Sequence, residues 1–144
     1  MVDHISPEEA SRRMKDEGYK YIDVRSIPEF ESGHPTPAVN IPLMHSDGAT
    51  GGMAPNPDFL SVVQANYSPD TKLVLGCRTG QRSAHAAALL EQAGYETVVN
   101  MQCGFAGEMN QFGQVSNPGW QALGLPSGTE NGDGVSYESL SAGP

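Results

Sequence analysis

Short apolar blocks alternate with helical spacing along most of the chain. Tyr21, Ile22 and Val24 lie inside Lys20–Arg25 (KYIDVR), which predicts a strand. Ala38–Pro42 (AVNIP) predicts a second short strand, closed by a proline that a sheet interior does not accept. Thr71–Gly76 (TKLVLG) reads as a buried strand, and Glu96–Met101 (ETVVNM) as another. Between these the period changes. Gln81–Ala93 is Ala-rich and stops at Gly94, the signature of a helix with a glycine end. Asp58–Tyr67 places Phe59, Val62 and Val63 at weak helical spacing. Ser6-Pro7-Glu8-Glu9 opens a further helix, with Ser6 at the N-cap, Pro7 in the first position and Glu9 as the capping-box acid. That helix runs to Lys15–Glu17 and ends at Gly18. This alternation builds a mostly parallel α/β sheet.

The remaining stretches are less regular. Residues 26–37 are polar and turn-rich, and 46–57 form a glycine- and proline-rich loop. After Met101 the pattern weakens; Gly104–Gly124 holds one short helix and Trp120, which the core uses. Residues 1–125 therefore make one domain. From Pro126 to Pro144 the chain is polar and Gly/Ser-rich and reads as a flexible tail, with VSYESL inside it as a docking candidate. No internal repeat is present.

Composition narrows the function. A chain of 144 residues with 38% hydrophobic content suits a single core. No apolar run approaches the ~20 residues of a membrane span, and MVDHISPEEA lacks the basic and apolar regions of a secretory leader; both point to the cytoplasm. Net charge is −9 with eight Lys plus Arg, which argues against nucleic acid, whose binding rests on phosphate neutralisation. Against that background, Arg78 and Arg82 in one short loop are informative: they read as an anion site, or otherwise as two solvated charges. Cys77 and Cys103 form no disulfide framework, and with His4, His34, His45 and His85 scattered there is no metal-ligand spacing. The reading calls for no cofactor and for a reducing compartment.

The chemistry concentrates in Cys77-Arg78-Thr79-Gly80-Gln81-Arg82-Ser83. This stretch joins the end of a strand to the start of a helix, where open α/β sheets bind ligands. Successive backbone N–H groups there form a nest for an anion, and the helix start adds positive potential. Gly80 gives the backbone a freedom that a β-carbon would remove. The same field favours a thiolate, so Cys77 reads as an activated nucleophile in an anion cradle rather than as an inert core thiol.

That loop resembles the active-site loop of the rhodanese-like sulfurtransferases. The resemblance extends to YIDVRSIPEFESGH (Tyr21–His34), with its Asp-Val-Arg segment, Glu29-Phe30 and Gly33-His34, to AVNIP, and to LEQAGYETVVNMQCGFAG after the loop, covering about residues 5–107. It implies a five-stranded parallel sheet flanked by helices on both faces. It also implies that Cys77 takes a sulfane sulfur from a thiosulfate-like donor, becomes a persulfide, and passes the sulfur to cyanide or a thiol. Arg78 and Arg82 are then expected to help hold the dianionic donor, with Arg82 also a possible brace, and Thr79, Gly80 and Gln81 to line it. Asp23, Arg25 and Ser83 are expected as supports; for Asp23 and Arg25, an ion pair against loop backbone is favoured over substrate contact.

Four residues separate Cys77 from Arg82. The Cys-dependent phosphatases and arsenate reductases resemble a Cys-x5-Arg pattern, so the shorter loop here suits a sulfur atom better than a phosphate. Two positions depart from the family. Pro37 stands where glycine is usual, and Cys103-Gly104 where Gly-Gly is common. Cys103 reads as a small half-buried residue or as a resolving thiol. The alternative to small-molecule sulfur transfer is a persulfide carrier or sensor serving one protein partner; an inactive scaffold is a weaker third reading, since Cys77 is present.

Overall fold

The computed structural model describes residues 2–46, 52–109, 112 and 114–141. Its centre is a sheet of five strands: β1 (Asp3–Ile5), β2 (Lys20–Asp23), β3 (Val39–Asn40), β4 (Leu73–Gly76) and β5 (Val98–Met101), in the order β1-β5-β4-β2-β3. Every pairing is parallel. The four strands expected from the sequence are present, each trimmed at one or both ends. The fifth, β1, was not legible, because Asp3-His4-Ile5 is too short to show a period. All four residues of β4 and of β5 are buried, as strands covered on both faces must be.

Among the described residues, five helices flank the sheet: α1 (Pro7–Asp16), α2 (Ile27–Glu31), α3 (Phe59–Asn66), α4 (Gln81–Gln92) and α5 (Tyr137–Ser141). Among the described residues no helix is long and apolar enough to cross a membrane. The Ser6 hydroxyl caps α1 by accepting from the Glu9 amide at 3.1 Å. The reciprocal half of the capping box is not made there. Glu9 turns outward to Arg12 and Arg13, at 2.6 and 2.7 Å, and forms helix-surface pairs instead. The acid that does reach back to its N-cap is Glu29, whose carboxylate accepts from the Ser26 amide and hydroxyl at the start of α2.

The core forms two layers because alternate strand residues face opposite ways. Leu73 and Leu75 pack with Ile22, Val63, Leu90 and Cys77 on one face. Val74 packs with Tyr21, Phe30, Met101 and Trp120 on the other.

Residues 46–57, expected as a loop, contain part of a hairpin. Met44–Ser46 pairs antiparallel with Met53–Pro55, and the connecting residues 47–51 lie outside the described ones. The helix expected within 104–124 is a set of hydrogen-bonded turns, with Leu123 N–H donating to Gly119 O, and not a helix among the described residues. The Thr36–Pro37 peptide is cis.

The segment expected as a free tail is placed against the domain. Ser127–Gly128 pairs with His34–Pro35, Asn40 N–H donates to Val135 O, and Leu140 is buried beside α3. A polar composition hid this, because Val135, Tyr137 and Leu140 are few and spread among Ser, Gly and Glu. They dock against the core-facing side of the same chain, so VSYESL finds its surface internally. Residues 142–144 lie outside the described ones.

Candidate active site

Cys77 follows β4 directly, at the carboxyl edge of the sheet's central strand. Cys77 is 1% exposed, so its thiol is buried where the loop curls around it. Gly80 sits at the N-cap of α4 with φ 101°, a conformation that favours glycine, and its N–H donates to Cys77 Sγ at 3.1 Å. A glycine cap carries no side-chain acceptor. The first-turn N–H groups of α4 therefore have neither an intrahelical partner nor a capping oxygen, and they remain available to an anion.

Ser83 and Asn100 support this arrangement from below. The Ser83 hydroxyl lies 3.4 Å from Cys77 Sγ and 2.6 Å from Asn100 Oδ1. Its single proton serves the shorter bond. Asn100 Nδ2 in turn reaches Gly80 O at 3.3 Å and His4 Nδ1 at 2.9 Å. A strand polar group thus ties the loop, the helix and β1 together. The sequence reading passed over Asn100, although one amide in an otherwise apolar buried strand is a signal that it has partners.

The loop backbone is also clamped from the turn after β5. Phe105 N–H donates to Cys77 O at 2.8 Å, and Ala106 N–H to Arg78 O at 2.9 Å. A Cβ at Gly104 would stand 2.5 Å from the Arg78 carbonyl and 2.6 Å from Cys77 O, so the close approach requires glycine.

The arginines divide. Arg78 is exposed at the loop rim. Arg82 grips Glu29 with two bonds, at 2.8 and 3.0 Å. These bonds brace α4 against α2. Burial alone would push the Glu29 carboxyl up. The hydrogen bond and charge of Arg82, with help from Ser26, outweigh it and hold Glu29 down at about 2. A depressed carboxyl contributes stability above its ordinary value and loses it as pH falls through the folded one. Glu29→Gln should therefore lower stability at neutral pH by up to about 1 kcal/mol, given a pair still open to water. Urea unfolding across pH should show that gap persisting to ordinary carboxyl pH and closing toward pH 2; a gap already absent at pH 6 contradicts the brace.

Asp23 and Arg25 lie beneath the loop, nearly without exposure, at 1% and 5%. Arg25 Nε and Nη2 bond both Asp23 oxygens at 2.8 to 3.1 Å, and Nη2 also donates to Gly33 O at 2.6 Å. The guanidinium stacks 4.8 Å over the Phe105 ring, whose N–H holds Cys77 O. Asp23 pairs in register with Gly76, next to Cys77. This is the ion pair expected from the sequence, with Gly33 as its backbone partner.

Cys103 occupies the turn with φ 69°, left-handed for a residue with a side chain. Its thiol donates to Glu108 Oε1 at 3.1 Å and borders a polar cavity of about 400 Å3 shared with Thr79, Gly80 and Asn100. Cys77 and Cys103 are both free thiols. Burial and the Glu108 carboxylate push the Cys103 thiol up to about 11. It should therefore stay protonated at neutral pH, and iodoacetamide adducts at Cys103, read by peptide mass, should appear only as pH climbs toward 11. Labelling below pH 9 at the rate of a free thiol contradicts this.

Comparison with known proteins gives a consistent picture. The rhodanese-like domain family matches residues 6–110. Thiosulfate sulfurtransferase 16, chloroplastic, of Arabidopsis thaliana is 34% identical over 110 residues, covering 76% of this chain and 80% of that protein. Rhodanese-like domain-containing protein 15, chloroplastic, of the same plant is 36% identical over 99 residues, covering 69% of this chain. This chain spans about half of that relative's length, 53%. Among solved structures, Rv0390 from M. tuberculosis superposes with a TM-score of 0.73 at 26% identity, covering 90% of this chain and 98% of the other.

Proposed function

The chain belongs to the rhodanese-like domain family of sulfurtransferases, and from that premise we propose that it carries a sulfane sulfur on Cys77, from a thiosulfate-like donor to a thiol or cyanide. The observation that supports this most directly is the Gly80 N–H on Cys77 Sγ at 3.1 Å, at the foot of a helix start whose donors have no cap. In the first step the Cys77 thiolate attacks the outer sulfur of thiosulfate. The S–S bond of thiosulfate breaks, and sulfite leaves with its electron pair. Cys77 is left with one added sulfur, whose negative charge lies among the loop N–H groups. In the second step an acceptor nucleophile attacks that outer sulfur, and the Cys77 thiolate leaves.

The remaining residues take roles that follow from their contacts. Arg78, exposed at the rim, draws the donor dianion to an otherwise acidic protein. Thr79, Gly80, Gln81 and Arg82 supply loop backbone to the bound anion. Arg82 with Glu29, and Asp23 with Arg25, hold the loop in shape. Ser83 orients the sulfur from below. Two free thiols suit a reducing compartment such as the cytoplasm.

Incubation with thiosulfate, followed by desalting and intact mass measurement, tests the reading. The chain should gain the mass of one sulfur atom, removable by cyanide with release of thiocyanate. A chain that gains no sulfur from thiosulfate contradicts thiosulfate as donor.

A further inference from the structure

A second cavity, of about 540 Å3, runs along α4 away from the loop. This size suits a small organic molecule. Its lining is largely apolar: buried Phe59 and half-buried Leu43 stand with exposed Leu60 on α3 and Leu89 on α4. Leu60 and Leu89 are among the few large apolar side chains left exposed, at 36% and 37%. The α4 side of the cavity carries Gln81, His85 and Leu89, spaced four residues apart on one helix face. At ~1.5 Å rise per residue, that face leads over roughly 12 Å from the loop around Cys77 to the apolar end.

Two polar side chains of the lining, Asn56 and Arg82, are committed elsewhere. Asn56 donates to Pro42 O and Tyr137 OH and accepts from the Asp58 amide. Arg82, the cation among the lining residues, is neutralised by Glu29. The chain as a whole carries −9. The cavity therefore offers apolar contact with no free positive charge, the reverse of what a thiosulfate dianion needs.

We infer that this cavity receives the sulfur acceptor, and that the acceptor is a thiol with an uncharged, apolar body. The inference rests on the persulfide reading above. The acceptor lies with its carbon body against Leu60 and Leu89 and its sulfur beside Gln81, at the edge of the loop. Its thiolate, the proton lost to water, attacks the outer sulfur on Cys77. The bond between that sulfur and Cys77 Sγ breaks, Cys77 leaves as thiolate, and the acceptor departs as a persulfide. Donor and acceptor thus approach the same sulfur by different routes, the anion over the Arg78 rim and the thiol along α4.

The test has two stages. The full chain is first loaded with thiosulfate and its added sulfur counted by mass. The loaded protein is then unloaded with ethanethiol, butanethiol, hexanethiol and, as an anionic control, 2-mercaptoethanesulfonate. The unloading rate constant should rise roughly threefold per methylene along the alkyl series, and the sulfonate should be slowest. A Leu60→Ser, Leu89→Ser double variant, whose changes lie on exposed positions, should load normally and lose the chain-length dependence. A flat series in the native chain, or an unchanged slope in the double variant, overturns the acceptor cavity while the persulfide reading stands. A dimer on gel filtration that the double variant converts to monomer gives the cavity to a second copy and also overturns it. A chain that never loads overturns both.

Discussion

Cys77→Ser should leave the chain folded and unable to take up sulfur. Serine fits the site, because Cys77 is buried in a core of similar small and apolar groups and its Sγ needs only the Gly80 N–H and the nearby Ser83 hydroxyl. Melting temperature should therefore stay within a few degrees. The chemistry should vanish. A hydroxyl at this position ionises far less readily than a thiol and is a poor nucleophile toward sulfur without a base. Among the described residues the contacts of Cys77 Sγ are the Gly80 N–H and the Ser83 hydroxyl, and neither is a base. Loading from thiosulfate, read by intact mass, should fall at least ~10³-fold, as losses of a nucleophile do in other covalent enzymes. Sulfur gained by the variant at the native rate would move the carrier role to Cys103, the other thiol of the chain.

Asp23→Ala should have the largest effect on stability. It strands Arg25, 5% exposed, whose charge Asp23 neutralises most directly, and leaves it the bond to Gly33 O. Burial by itself would push the Arg25 guanidinium down, and Asp23 overcomes this, keeping it charged and above its ordinary value. Breaking a buried pair from one side costs ~3–5 kcal/mol. For a domain of this size that is a fall of ten degrees or more in melting temperature. Because the pair sits under Phe105, which holds Cys77 O, loading by the surviving folded fraction should slow as well. The temperature readout separates the two roles weighed for these residues. A large stability loss with an unchanged KM for thiosulfate fits a support beneath the loop. An unchanged melting temperature with a raised KM would make the pair a donor contact.

Much of the fold could be read along the chain. The apolar blocks at Ile22, Leu75 and Val99, the Ser6 cap and the glycine stop after α4 are decided by residues within one or two turns of each other. The Cys77–Ser83 stretch was equally local, since strand end, glycine and helix start adjoin in sequence. In two places local spacing and composition do not record contacts made elsewhere. Glu9 was assigned the capping role by spacing, but Arg12 and Arg13 compete for it on the helix surface, while Ser26 and Glu29 carried the same spacing in a stretch read as turn. The tail from Pro126 was judged on composition, and three apolar residues among many polar ones sufficed for a dockable face.

What the sequence by itself determined is the placement of Cys77 between a strand end and a glycine-capped helix, and the parallel α/β frame, because each depends on neighbours in the chain. The tertiary structure decided which groups hold the loop. Arg82 meets Glu29 across 53 positions and Asn100 meets His4 across 96. Gly104 admits the Cys77 carbonyl, and α4 and α3 enclose an apolar cavity beside the loop. Such contacts form only when parallel strands bring distant segments side by side, and no local period records which distant residue will arrive.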